Sequence, residues 1–160
     1  MSWRKVFAWD TPYDFMVGDT VELTKAQPSH IGLLPVGLKG VVTWGETSYA
    51  APLCPLSVAF THPDNPIFPV HNSAVDPENL KLVSHEPLPF VVGRHIALKD
   101  YMTVANPEEG RSSVHPGDTG VLSAHDPVPG MWTVSLMVSS GYHVTAHLNE
   151  EDMVVIWPIS

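Results

Sequence analysis

The chain has 160 residues, and its 17 acidic against 8 basic side chains leave a net charge of −9. Phosphate binding needs clustered Lys and Arg, so nucleic acid is not the expected partner. One cysteine, Cys54, excludes an internal disulfide and fits a reducing compartment, while 16 prolines and 11 glycines spread along the chain leave little room for helices.

Residues 1–14 hold Trp3, Phe7, Trp9 and Tyr13 and read as an aromatic N-terminal arm that covers a core edge. The opening Met1-Ser2-Trp3-Arg4-Lys5 lacks the apolar stretch of a secretory signal, and no run is long enough to cross a bilayer. The expectation is a cytoplasmic protein with no membrane partner. From residue 15 onward, short β-rich runs alternate with turn residues. Strands are expected at 16–24, 38–45, 55–61, 66–71 and 79–83, with a long irregular loop over 26–36. The polar segment Asp76–Asn79 is expected to form one 3₁₀ turn before the last of these strands. Ser84-His85-Glu86-Pro87-Leu88-Pro89 follows as an extended connector.

A second series of strands is expected at 91–99, 118–124, 131–138, 142–148 and 152–157, with a long irregular loop over 101–116 and a 3₁₀ turn at Asn149–Asp152. Within it, Tyr142, Val144, Ala146 and Leu148 alternate with His143, Thr145 and His147, the pattern of a half-buried strand.

The second series repeats the first about 75 residues later. Phe15, Val17, Gly18, Val21 and Leu23 return as Phe90, Val92, Gly93, Ile96 and Leu98. Gly37-x-x-Gly40-Val41 returns as Gly117-x-x-Gly120-Val121, and Asp76-Pro77-Glu78-Asn79-Leu80 as Asn149-Glu150-Glu151-Asp152-Met153. The reading is an all-β chain with barrels at 15–83 and 90–160, the connector 84–89 between them and the arm 1–14 before them. At roughly 70 residues each, the copies sit near the lower limit for an independent core, so they are expected to pack together. Residues 15–83 carry a net charge of −3 and residues 90–156 a net charge of −5.

Val17-Gly18-Asp19-Thr20-Val21-Glu22-Leu23, Gly37-Leu38-Lys39-Gly40-Val41-Val42 and Glu78-Asn79-Leu80 resemble the signature of bacterial-type SH3-like small β-barrels. The second copy keeps this scaffold but has Gly93-Arg94 in place of Gly-Asp, and closes on Glu151-Asp152-Met153. The resemblance implies two tandem five-stranded SH3-like barrels. It specifies a fold rather than an activity. Similar barrels occur in KOW-type modules and in nitrile hydratase β-subunits. This chain lacks the basic residues a KOW unit uses on RNA, and it lacks that subunit's helical amino-terminal part.

No catalytic constellation, metal set or cofactor motif emerges. His143-x-x-x-His147 would share a metal on a helix, but on a strand the rings lie about 13 Å apart at about 3.3 Å per residue. Cys54 lies between Pro52 and Pro55 with no local activating base. Gly-x-x-Gly precedes a strand and not a phosphate-binding helix. Nine histidines make the charge acid-responsive between pH 7 and 5.5. The remaining candidates are loop and strand-end residues for partner binding: Trp44, Tyr49, Tyr101 and Trp132, with Leu33 and Leu34 nearby.

The expected function is therefore non-catalytic protein binding, as an adaptor, an assembly factor or an inhibitor covering a basic surface on its target. The alternatives are an accessory subunit of a metalloenzyme, as the nitrile hydratase likeness implies, and a KOW-like RNA- or ribosome-associated module. Duplication favours a monomer over a homodimer.

Overall fold

A computed structural model describes residues 15–29, 31–45, 56–64, 69–106, 110–115, 118–137 and 143–159. The expected arm 1–14, Tyr49 and Cys54 lie outside these residues. The strands in chain order are β1 (Thr20–Leu23), β2 (Gln27–Ser29), β3 (Gly32–Leu34), β4 (Lys39–Gly45), β5 (Leu56–Phe60), β6 (Val70–Val75), β7 (Leu80–Ser84), β8 (His95–Leu98), β9 (Met102–Asn106), β10 (Gly110–Val114), β11 (Thr119–His125), β12 (Met131–Met137), β13 (His143–Asn149) and β14 (Met153–Trp157). Two 3₁₀ turns, Pro77–Asn79 and Glu150–Asp152, precede β7 and β14. The chain divides into two units, residues 1–88 with 156–160, and residues 89–155.

The first five-stranded sheet runs β6-β5-β4-β1-β7 and the second β13-β12-β11-β8-β14, with neighbours antiparallel throughout the first and along β13-β12-β11-β8 in the second. The strands form where alternate side chains are apolar. In β13, Val144, Ala146 and Leu148 are buried while His143, Thr145 and His147 are exposed, so the period of two is followed along this strand. Val21, Leu23, Val41, Val58 and Phe60 form the core under the first sheet. Ile96, Leu98, Leu122, Val134, Leu136 and Met153 do so under the second.

The backbone bonds outside the ladders correspond from one sheet to the other. The Gly18 N–H donates to the Val42 carbonyl, and the Gly93 N–H to the Leu122 carbonyl, both at 2.8 Å. These two glycines hold φ of 95° and 92°, where a side chain would be strained. The Thr24 N–H donates to the Asn79 carbonyl, as the Lys99 N–H does to that of Asp152. Asp76 caps one 3₁₀ turn by accepting the Glu78 N–H, and Asn149 caps the other by accepting that of Glu151, both at 2.9 Å. The central strands β4 and β11 each shift register after their third apolar position, between Val42 and Trp44 and between Leu122 and Ala124.

Three sequence expectations need correction. The segments 26–36 and 101–116 are not irregular, because each contains an antiparallel hairpin, β2–β3 and β9–β10. Leu34 opposite Gln27 and Val114 opposite Met102 turn inward and hold these hairpins on the core. The first strands are shorter than expected, since residues 16–19 form a turn closed by the Asp19 N–H on the Met16 carbonyl at 3.0 Å. The fourth strand of the first sheet runs Val70–Val75, ending four residues beyond the expected 66–71, and follows β5 from Phe60 opposite Val70 to Leu56 opposite Val75.

Candidate functional site

The second unit holds a cleft of about 570 Å³ between β9 and β13, with Asp152 of the second 3₁₀ turn in its lining. Two unbroken runs line it, Asp100–Ala105 and Thr145–Leu148, together with Asp152. Successive residues of a strand point to opposite faces, so walls made of consecutive residues are strand edges and not sheet faces. Among the described residues β9 pairs only with β10, and β13 is the end strand of its sheet. Both edges therefore keep backbone donors and acceptors outside any ladder.

Each wall has a local cause. The Lys99 N–H on the Asp152 carbonyl, at 3.0 Å, ties the end of β8 to the 3₁₀ turn. The Asp100 carboxylate then accepts the Tyr101 N–H at 2.7 Å and directs the chain into β9. Tyr101 is 67% exposed, and its ring meets the His115 imidazole edge-on with centroids 5.5 Å apart. On the opposite wall Ala146 and Leu148 face the core, while Thr145 and His147 are exposed.

Behind His147 lies a polar trio. Its Nδ1 sits 3.0 Å from the Asp126 carboxylate, whose other oxygen accepts the Thr133 hydroxyl proton. The Thr133 hydroxyl bond, with His147 second, holds the Asp126 carboxyl below its ordinary range. Lys99 lies beside Asp152 and Glu151. Burial of its ammonium lowers its pKa to about 8, against the attraction of those two carboxylates.

Asp126 is bonded to both the Thr133 hydroxyl and the His147 imidazole, so the trio fixes the orientation of that ring. Among the described residues no group of three His, Cys, Asp or Glu side chains could hold a metal ion. The lining carries two carboxylates, Asp100 and Asp152, and no Lys or Arg.

The sequence candidates fall in different places. Tyr101 lines the cleft. Trp132 is buried at 6% exposure, its Nε1 donating to Glu150 at 2.7 Å and its ring packed between Phe90 and His125. Leu33 and Leu34 are neighbours on β3 with opposite orientations, Leu33 exposed and Leu34 in the core. Trp44 lies on β4 opposite Ser57.

Sequence reasoning did not single out Asp100, Met102 or Asp152, nor did it give His147 a place beside a ligand. One signal for Met102 and Asp152 was present. Gln27 and Asn79, 75 and 73 residues earlier than Met102 and Asp152, are joined in the first unit by a side-chain hydrogen bond of 2.8 Å. In the second unit Met102 and Asp152 stand at those positions, and both line the cleft. Comparison with protein-family models and with curated proteins finds no match for this chain.

Proposed function

We propose that the chain is a duplicated SH3-like scaffold whose second copy binds another protein, acting as an adaptor, an assembly factor or an inhibitor and not as an enzyme. The SH3-like reading is supported by a strand order of fourth-third-second-first-fifth in both sheets, by a hairpin after the first strand, and by a capped 3₁₀ turn before the last. The observation that carries the binding role is the cleft between β9 and β13. It combines an exposed aromatic ring, two carboxylates and unpaired strand edges, and contains no nucleophile–base pair. Fold likeness alone does not choose a partner, so the reading rests on this site.

The test is capture of proteins from the native host on the immobilised chain, compared with Tyr101→Ala and Asp100→Lys. A protein retained by the wild type and lost from both variants, at unchanged melting temperature, is the expected outcome. Retention indifferent to both substitutions would put the binding surface elsewhere. A gel shift on RNA at low salt would favour the KOW-like alternative instead, and the charge of −9 leads us to expect none.

A further inference from the structure

We infer that the occupant of this cleft is an extended, basic segment of the partner protein that adds to the second sheet as a strand along the outer edge of β13. The inference rests on the binding role proposed above and specifies how the partner is held.

The first unit shows how the hairpin can be fastened to the 3₁₀ turn. There the side-chain oxygen of Gln27, at the start of β2, accepts the Asn79 amide N–H at 2.8 Å, which fastens the hairpin to the 3₁₀ turn. The next residue, Pro28, has no N–H to offer an incoming strand. In the second unit the equivalent hairpin begins with Met102 and Thr103, and the equivalent turn ends with Asp152. A thioether has no proton to give a carboxylate, so Met102 and Asp152 cannot form the same fastening. Both residues line the cleft. The unit without the lock and without the proline is the one in which this cleft lies.

Two further observations specify the occupant. Its conformation follows from the walls: runs of consecutive residues present backbone edges, and a backbone edge is satisfied by another extended backbone. Its charge follows from the lining, which has Asp100 and Asp152 but no Lys or Arg, within a segment 90–156 of net charge −5. Lys99 beside Asp152 offsets only part of this. Thr145 and His147, exposed on β13, would face alternate side chains of the added strand.

A displayed library of random dodecamers, selected on the full chain, tests this. The expected result is enrichment of Lys and Arg among β-branched residues. N-methylation of a selected peptide at alternate positions should abolish binding in one parity and spare it in the other. The variant Met102→Gln/Asp152→Asn, which copies the first unit's lock, should bind at least about tenfold more weakly than either single variant. No enrichment, selection of acidic peptides, or indifference to N-methyl parity would overturn the proposal, as would dimerisation of the chain through β13. The N-methyl series uses the wild-type chain, so it decides the matter even if the double variant fails to fold. A host partner lost from Tyr101→Ala but insensitive to N-methyl parity in competition would refute strand addition and leave the binding role standing.

Discussion

Asp19 and Arg94 occupy the same place in the two sheets and behave differently. Asp19 is fully buried, accepts the Met16 N–H at 2.8 Å and pairs with His85 Nδ1 at 2.9 Å. Removing a buried acceptor leaves its donors unsatisfied, so Asp19→Ala should lower unfolding free energy by about 1–3 kcal/mol in denaturant melts. Gly40 and Gly120 are the other paired position. A Cβ on Gly120 would stand 2.7 Å from the Ser135 carbonyl oxygen, and one on Gly40 2.6 Å from Val58 and 2.9 Å from the Ala59 carbonyl oxygen. Backbone cannot yield as a side-chain tip can, so alanine at either glycine should cost about 1–3 kcal/mol, measured the same way.

Lys99 and Asp126 give opposite pH signatures. Lys99 titrates near pH 8 in the folded chain and near its ordinary 10.5 when unfolded. Between those values the unfolded chain binds more protons, so the Lys99 contribution makes stability rise with pH across that window. Acetylation of Lys99 should become half-maximal near pH 8, with other lysines lagging. Asp126 has a lowered folded pKa, so its stabilisation is present above the ordinary carboxylate range and disappears as pH falls through the folded value. The melting temperatures of wild type and Asp126→Asn should therefore differ at neutral pH and converge in strong acid.

At the scale of elements, the sheet strands were legible because their chemistry is local. The alternation through Val144, Ala146 and Leu148, the φ-demanding Gly18 and Gly93, and the caps Asp76 and Asn149 each announce themselves within a few residues. The hairpins were not legible. Their inward contacts pair Gln27 with Leu34 and Met102 with Val114, and Pro28 and short polar stretches break the visible period. Nor could the cleft be read directly, since it depends on β9 and β13 meeting across about 40 residues of chain. Tyr101 was legible as an aromatic loop residue, while Trp132 shared that signal and is buried instead. The hairpin lock offers a test at this scale. Gln27→Ala removes one part-buried side-chain hydrogen bond and should cost about 0.5–1.5 kcal/mol, and it should speed amide exchange in β2 and β3 before the central strands respond.

Over the whole molecule, an acidic chain holds two five-stranded sheets of one strand order whose hairpins differ. One unit has its hairpin fastened and its edge blunted by proline; the other leaves a carboxylate-lined cleft between two strand edges. Among the described residues no helix is long and apolar enough to cross a membrane. The most direct test is hydrogen exchange on the chain with and without its captured partner protein. Binding at the cleft predicts slowed exchange at 101–105 and 144–148, with the first unit's β2 and β3 unchanged; protection confined to the first unit, or absent from both cleft walls, would contradict it.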